Sequence, residues 1–420
     1  MSYIKEIMKE LFKKIILERQ EWFNSVDLVE RDVSIEEFAN YAFTGLRRAG
    51  KSYMLYQIIK QVSQKHGLEE ILFINFEDER LLEVSSDDLQ YITEAYYELF
   101  SHKPILFLDE IQNVSNWQKF VRRLTDSNYR VYITGSNAQM LSHEIASTLG
   151  GRFINKEILP LSFPEYLKFC GISFTQNFKY KNERFQIIRA YEDFLVFGGF
   201  PELVKFKNKR EFLSSVYQKL FYGDIIARYK ISNATMLKLI LKKLAESVNN
   251  ETSVNRIKNI IKSIGLKVGS NTVYDYLSYL EHSFMIGSVQ NYFQKISEKE
   301  SNKKYYFMDT GLLSLFLVDQ DTKLLENQIY IQLRRKGYKL FFLKKLTEVD
   351  FYVPEQELLI QVSYDISKPD TFKRETKALE KAMKYFDINQ SWIITKNQSN
   401  IIEVNSGKIN VVPAWQWLLE

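Results

Sequence analysis

Cysteine and histidine are scarce. The 420-residue chain has one cysteine, Cys170, and four histidines. A single cysteine excludes an internal disulfide, and the scattered histidines argue against a His/Cys zinc site. Long apolar runs are absent as well. None approaches the ~20 residues that a transmembrane helix needs. The N-terminal stretch MSYIKEIMKELFKKIILERQEWF is charged and helix-periodic. It lacks the uninterrupted apolar core and small-residue cleavage site of a secretory signal. These absences point to a soluble, cytoplasmic protein with no membrane partner.

Apolar residues make up 45% of the chain, enough for a sizeable core. At ~100–200 residues per domain, the length predicts two to four domains. Charge is unevenly spread. Residues 205–300 hold 16 Lys/Arg against 8 Asp/Glu, in a chain of net charge +5. That asymmetry fits a middle region facing a polyanion, and equally a solvated lysine-rich surface.

Residues 3–19 read as an amphipathic helix, with Ile4, Met8, Leu11, Phe12, Ile15 and Ile16 at helical spacing. Strands and helices then alternate. Tyr41–Thr44, Ile71–Phe76, Ile105–Leu108 and Val131–Thr134 are apolar strands. Lys51–Lys65 and Asp87–Phe100 are helical. That alternation predicts an α/β fold with a parallel sheet. From about residue 160 the pattern turns mostly helical. Two strands follow, at Ile286–Phe293 and Lys304–Met308. The last block mixes helix (Leu324–Lys336) with strands at Lys339–Leu343, Val349–Val353, Leu358–Val362 and Trp392–Thr395.

Gly45-Leu46-Arg47-Arg48-Ala49-Gly50-Lys51-Ser52 fits G-x-x-x-x-G-K-[ST] at every fixed position, and Tyr53 follows. The glycines let backbone N–H groups curl around phosphate, and the following helix N-terminus adds a favourable dipole. Lys51 supplies a point charge for the β- and γ-phosphates of ATP, and Ser52 a hydroxyl for Mg²⁺. The motif sits between a predicted strand and a predicted helix, as the chemistry requires. Ile105–Leu108 ends in Asp109-Glu110. Two acids at the C-terminal end of a buried strand lie where open α/β sheets bind ligands. Asp109 would serve Mg²⁺, and Glu110 would act as general base.

Val131–Thr134 runs into Gly135-Ser136-Asn137. Ser136 and Asn137 each qualify to sense the γ-phosphate or the attacking water, or to cap a helix. Arg152, after the turn Gly150-Gly151, is a candidate arginine finger in cis or in trans, or a plain surface arginine.

These residues resemble the AAA-type P-loop ATPases of bacteria and archaea that carry a C-terminal domain of unknown function. The resemblance lies in TGLRRAGKSYML (Walker A), FLDEIQNVSNWQKFVRRL (Walker B), FINFEDERL, ITGSNAQML, LGGRF, LPLSFPEYL, FGGFPELV, GDIIARY, TVYDYLSYLEHSFMI and KKYYFMDTGLL. It spans nearly the whole chain and implies an ASCE-type sheet, ATP and Mg²⁺ as ligands, and often self-association into a homo-oligomer. The expected order is an N-terminal helix (1–30), a P-loop ATPase domain (31–160) and a helical linker or lid (161–232). A winged-helix-like domain (233–320) and a degenerate restriction-endonuclease-like domain (321–420) follow.

Thr252–Lys262 and Thr272–Glu281 would be the two helices of a helix-turn-helix. Lys258, Lys262, Lys267 and Lys295 are candidates for phosphate contacts to duplex DNA of weak sequence preference. A helical bundle docking on the ATPase is the alternative. The last hundred residues resemble the restriction-endonuclease-like fold. Glu326 matches its helix acid and Asp350 its strand acid. Where that fold has Glu-x-Lys, this chain has Gln361-Val362-Ser363. Lys373 or Lys377 could substitute from a helix. The missing acid and lysine predict a block kept for binding or structure. Two functions therefore compete: an ATPase that moves DNA-binding appendages, and a nucleotide-gated protein-interaction module.

Overall fold

A computed structural model describes residues 2–136, 149–175, 177–295, 298, 301–318, 321–345 and 347–420. The chain forms two compact units, Met1–Ile158 and Leu159–Glu420. Among the described residues, no helix is long and apolar enough to cross a membrane.

The first unit is built on five parallel strands: β1 (Asn40–Thr44), β2 (Ile71–Asn75), β3 (Ile105–Asp109), β4 (Val131–Gly135) and β5 (Phe153–Glu157). Their order is β2-β3-β4-β1-β5. One strand, β4, therefore separates the P-loop strand from the strand bearing the acids, as the resemblance implied. β1 to β4 are buried nearly throughout, which is why they read as continuous apolar runs. β5 was not anticipated. It is an edge strand with only Phe153 buried, and its charged residues blunt that edge.

Among the described residues, helices α1 (Ser2–Phe23), α2 (Lys51–His66), α3 (Gln90–Phe100) and α4 (Trp117–Asp126) accompany these strands. α1 runs past the predicted end at residue 19. Its Phe12, Ile15 and Ile16 are buried in one core cluster with Leu72, Ile74, Ile92 and Tyr96. On its outer side Lys13 Nζ meets Glu98 Oε2 of α3 at 2.8 Å. The N-terminal helix is therefore part of the ATPase-like core.

The second unit opens with helices α5 (Phe163–Phe169), α6 (Glu183–Phe197) and α7 (Lys209–Gln218), the last extended by a π-helical stretch, Lys219–Ala227. Then come α8 (Ala234–Glu246), β6 (Thr252–Ser253), α9 (Val254–Ser263), α10 (Ser270–His282), β7 (Ile286–Asn291), β8 (Asn302–Phe307) and α11 (Thr310–Ser314). The chain ends with α12 (Asp321–Arg335), β9 (Phe341–Lys344), β10 (Glu348–Val353), β11 (Leu358–Val362), α13 (Pro369–Phe386), β12 (Gln390–Thr395), a hairpin β13 (Asn400–Val404) and β14 (Gly407–Pro413), and α14 (Ala414–Trp417). Among the described residues, nine strands form one sheet, β13-β14-β12-β11-β10-β9-β7-β8-β6. The blocks expected at 233–320 and 321–420 share it, because β7 pairs in parallel with β9 through Gln290↔Phe341 and Asn291↔Phe342.

Two of the quoted sequence stretches meet here. Asp309, from KKYYFMDTGLL, accepts hydrogen bonds from Gly199 N at 2.8 Å and Leu312 N at 3.1 Å, capping α11. Gly198, from FGGFPELV, has φ 79, and a Cβ there would lie 2.2 Å from Asp309 Oδ1. Both its dihedral and its neighbour require glycine.

Phe12 is fully buried. Phe12→Ala should destabilise the first unit by ~3–5 kcal/mol, read as a lower unfolding midpoint in urea. An unchanged midpoint would show that α1 is not part of the core.

Candidate functional site

The phosphate-binding motif folds as its glycines dictate. Gly45 leaves β1 with φ 147, and a Cβ on it would approach Ile158 O to 2.2 Å. Gly50 enters α2 with φ 99 in the left-handed region. Arg48 also adopts a positive φ, 62, at the exposed tip of the loop. Leu46 and Ala49 are buried and anchor it from beneath. Arg47 turns aside to Glu77, 2.5 Å away, and Tyr53 is exposed on α2.

Lys51 is buried at the start of α2. Its Nζ donates to Leu46 O at 3.3 Å and lies 3.4 Å from Glu110 Oε1. Asp109 ends β3, and the Ser52 hydroxyl hydrogen-bonds it. A link not foreseen from the sequence completes the cluster. Thr134 Oγ1 donates to Asp109 Oδ1 at 2.5 Å and accepts from Glu110 N at 2.8 Å. The signal was present: Thr134 is the polar residue closing an apolar strand. Glu110 itself has φ 51, a left-handed conformation, and its carboxylate lies beside Lys51.

The two acids respond oppositely to burial. Burial and the neighbouring Glu110 charge push the Asp109 carboxyl up to about 6, against hydrogen bonds from Thr134 and Ser52. Burial also opposes ionisation of Glu110. Lys51, Gln112 and Arg47 outweigh it and hold that carboxyl below its ordinary value. The donor set fits a nucleotide with Mg²⁺. Hard oxygens from Ser52 and Asp109 stand beside a lysine and a glycine-bent loop at a helix N-terminus.

Ser136 is buried at the end of β4, one residue beyond Gly135, which pairs with Thr44. It is thus next to the start of the loop. Asn137 lies outside the described residues. Arg152 stands apart from this cluster. It precedes β5, whose Phe153 pairs with Asn40 at the start of β1. The P-loop leaves the other end of that strand, ~16 Å away. Arg152 Nε instead binds Asp126 Oδ1 of α4 at 2.7 Å. That placement favours the surface-arginine alternative over a finger acting in cis.

The second unit contains a cavity of about 650 Å³ lined by Glu326, Asp350, Gln361, Ser363, Glu375 and Lys377, among others. Lys373 is not among the lining residues. Glu326 and Asp350 both line it, and a lysine from β8 bridges them. Lys304 is fully buried, with Nζ 2.9 Å from Asp350 Oδ1 and 3.3 Å from Glu326 Oε1. Tyr306 Oη donates to Glu326 Oε1 at 2.7 Å. Burial and Asp350 raise the Glu326 carboxyl to about 7. Gln361 Oε1 accepts from Asp350 N at 3.3 Å, so its amide serves the backbone. Lys304 was missed because it lies far from the Gln361–Ser363 segment in sequence.

Of the candidate polyanion contacts, Lys262, Lys267 and Lys295 are exposed, while half-buried Lys258 donates to Ser270 Oγ at 3.4 Å. On α10 the outward side chains include Asn271, Tyr274 and Asp275. Tyr279 of the same helix stacks on Tyr229 with centroids 4.0 Å apart.

The raised Asp109 carboxyl has a measurable consequence. Its folded value lies above the ordinary ~3.9, so any stability that it contributes is present below pH ~4 and lost as pH rises towards ~6. Metal binding runs the other way and requires the ionised form. Mg²⁺-dependent nucleotide affinity should therefore rise between pH ~5 and ~7. Asp109→Asn should flatten that rise. A flat profile in the unsubstituted protein would show that Asp109 is not a metal ligand.

Residues 38–167 match the model of an AAA domain, and residues 188–323 match a domain of unknown function, DUF8612. An uncharacterised Methanocaldococcus jannaschii protein, MJ1544, is 35% identical, covering 98% of this chain and 96% of its own length. An uncharacterised Haemophilus influenzae protein is 28% identical, covering 90% of this chain and 93% of its own. Among solved structures, the Walker-type ATPase paby2304 of Pyrococcus abyssi aligns over 67% of this chain and 91% of its own, at 14% identity and a TM-score of 0.46. With 35% identity across nearly its whole length, the chain belongs to the same family as the M. jannaschii protein, and its first unit holds an AAA domain on a parallel five-stranded P-loop ATPase sheet.

Proposed function

We propose that the protein binds ATP with Mg²⁺ and hydrolyses it. The observation that carries this reading is the convergence of Lys51, Ser52, Asp109, Thr134 and Glu110 at the C-terminal ends of β1, β3 and β4. The backbone N–H groups of residues 45–50 would cradle the phosphates, and Lys51 would meet their β/γ charge. Ser52 and Asp109 would hold Mg²⁺, which supplies charge neutralisation at the transferring phosphoryl group. Glu110 would take the proton of the attacking water. Phosphate competes with Glu110 for Lys51, so nucleotide binding itself releases the base. Ser136 supports a contact to the γ-phosphate from the neighbouring strand.

For the second unit we favour a phosphate-backbone contact to duplex DNA. The order helix, short strand, two helices and two strands, with β8 between β6 and β7, supports a winged-helix arrangement. Exposed Lys262, Lys267 and Lys295 supply charge without base-reading chemistry. One observation favours the protein-interaction alternative: α10 presents Tyr274 and Asp275 outward, and an acid there repels phosphate.

We also propose that the C-terminal cavity cleaves no nucleic acid. The Lys304 ammonium bridges the two carboxylates that a catalytic cation would need, and like charge opposes a cation placed beside it.

ATP turnover, measured with and without duplex DNA at two salt concentrations, tests the first two readings. Lys51→Ala should abolish binding or turnover. Glu110→Gln should bind ATP and turn over at least ~100-fold more slowly. Wild-type behaviour of both would sink the ATPase reading. DNA stimulation that fades with salt supports the DNA reading, and no duplex binding at low salt supports the protein partner. The cavity is tested on plasmid and linear DNA with Mg²⁺ or Mn²⁺, where no cleavage is expected. Cleavage that Asp350→Ala abolishes and Lys51→Ala spares would overturn that proposal.

A further inference from the structure

Gln112 sits in the 3-10 turn Ile111–Asn113, directly after the left-handed Glu110. Its Nε2 donates to Glu110 Oε2. An ionised carboxylate only accepts, so it forces the amide to present its NH₂ group. The Gln112 carbonyl oxygen, Oε1, is thereby turned to the other branch of the amide. It is buried there, and no donor among the described residues meets it. A buried acceptor left unmet is destabilising, so the site favours a donor there. Glu110's other oxygen, Oε1, faces Lys51 at 3.4 Å. Once phosphate draws Lys51 away, two acceptors remain on adjoining groups: Glu110 Oε1 and Gln112 Oε1. A water molecule has two O–H bonds to give.

We propose that Gln112 positions the attacking water for ATP hydrolysis. Its Nε2 holds Glu110 Oε2, and its Oε1 accepts one O–H of the water while Glu110 Oε1 accepts the other. The inference rests on the ATPase reading above. In the step, the water oxygen bonds to the γ-phosphorus. The proton on the Glu110 side passes to that carboxylate. The bond between the γ-phosphorus and the β–γ bridging oxygen breaks, and its electron pair leaves with ADP. Gln112 exchanges no proton. It removes the rotational freedom of the water and keeps Glu110 Oε1 aimed at it, the kind of orientation for which a ~1 Å error costs on the order of 100-fold in rate.

The test is steady-state ATPase kinetics of the full chain, with binding of a fluorescent ATP analogue measured in parallel. Gln112→Ala should lower kcat by ~10–100-fold and leave analogue affinity and KM within about twofold. A residue that merely supports the turn would lower affinity and unfolding midpoint together with kcat. Unchanged kcat in Gln112→Ala, or parallel loss of analogue binding and kcat, would overturn the proposal. Lys51→Ala and Glu110→Gln separate the two levels. If neither impairs turnover, the ATPase reading has failed. If both do and Gln112→Ala does not, only the role of Gln112 has.

Discussion

The hydroxyl of Thr134 ties β4 to the end of β3 by giving its proton to Asp109 and taking one from the Glu110 backbone. Two adjacent carboxylates would otherwise repel each other in a buried site. Held this way, they face opposite tasks: Asp109 turns to Ser52, and Glu110, in its left-handed conformation, turns to Lys51. The strand order makes this link available. Because β4 lies between β1 and β3, its last residues touch both the phosphate loop and the acids.

Lys51 and Lys304 are both buried beside a pair of acids, with different freedom. Lys51 contacts a backbone carbonyl and one carboxylate oxygen, and it sits at the mouth of a glycine-bent loop. Lys304 contacts two carboxylates, and its ammonium lies 5.5 Å from the centre of the Phe342 ring. Tyr306 completes the lock on Glu326. An ammonium with an exchangeable partner suits a binding cycle. One enclosed on every side by fixed partners suits a permanent join, which losing one acid would leave as an uncompensated buried charge.

Local patterns carried most of what could be read in advance. Gly45–Ser52 and Asp109–Glu110 are contiguous, and the strands around them are buried on both faces, so their apolar runs stand out. β5 did not stand out, because an edge strand with charged, exposed residues carries no apolar period. The alternatives for Arg152 stayed open, since a turn says nothing about which end of a sheet it occupies. Thr134 and Gln112 lay in view, yet their roles depend on hydrogen bonds that only the folded geometry creates. Lys304 is the extreme case: its partners are 22 and 46 residues away, and its own neighbours read as an ordinary strand.

The parallel pairing of β7 with β9 sets how this chain can be divided. Separating the chain near residue 320 into two pieces would strip β9 of β7, one of its two neighbours, and bare a row of peptide groups, an open template for sticking to other chains. It would also part Lys304 from Glu326 and Asp350, leaving two buried acids without their cation. The two blocks are therefore not interchangeable cassettes. Any heritable shuffling that kept one would have to carry the other with it.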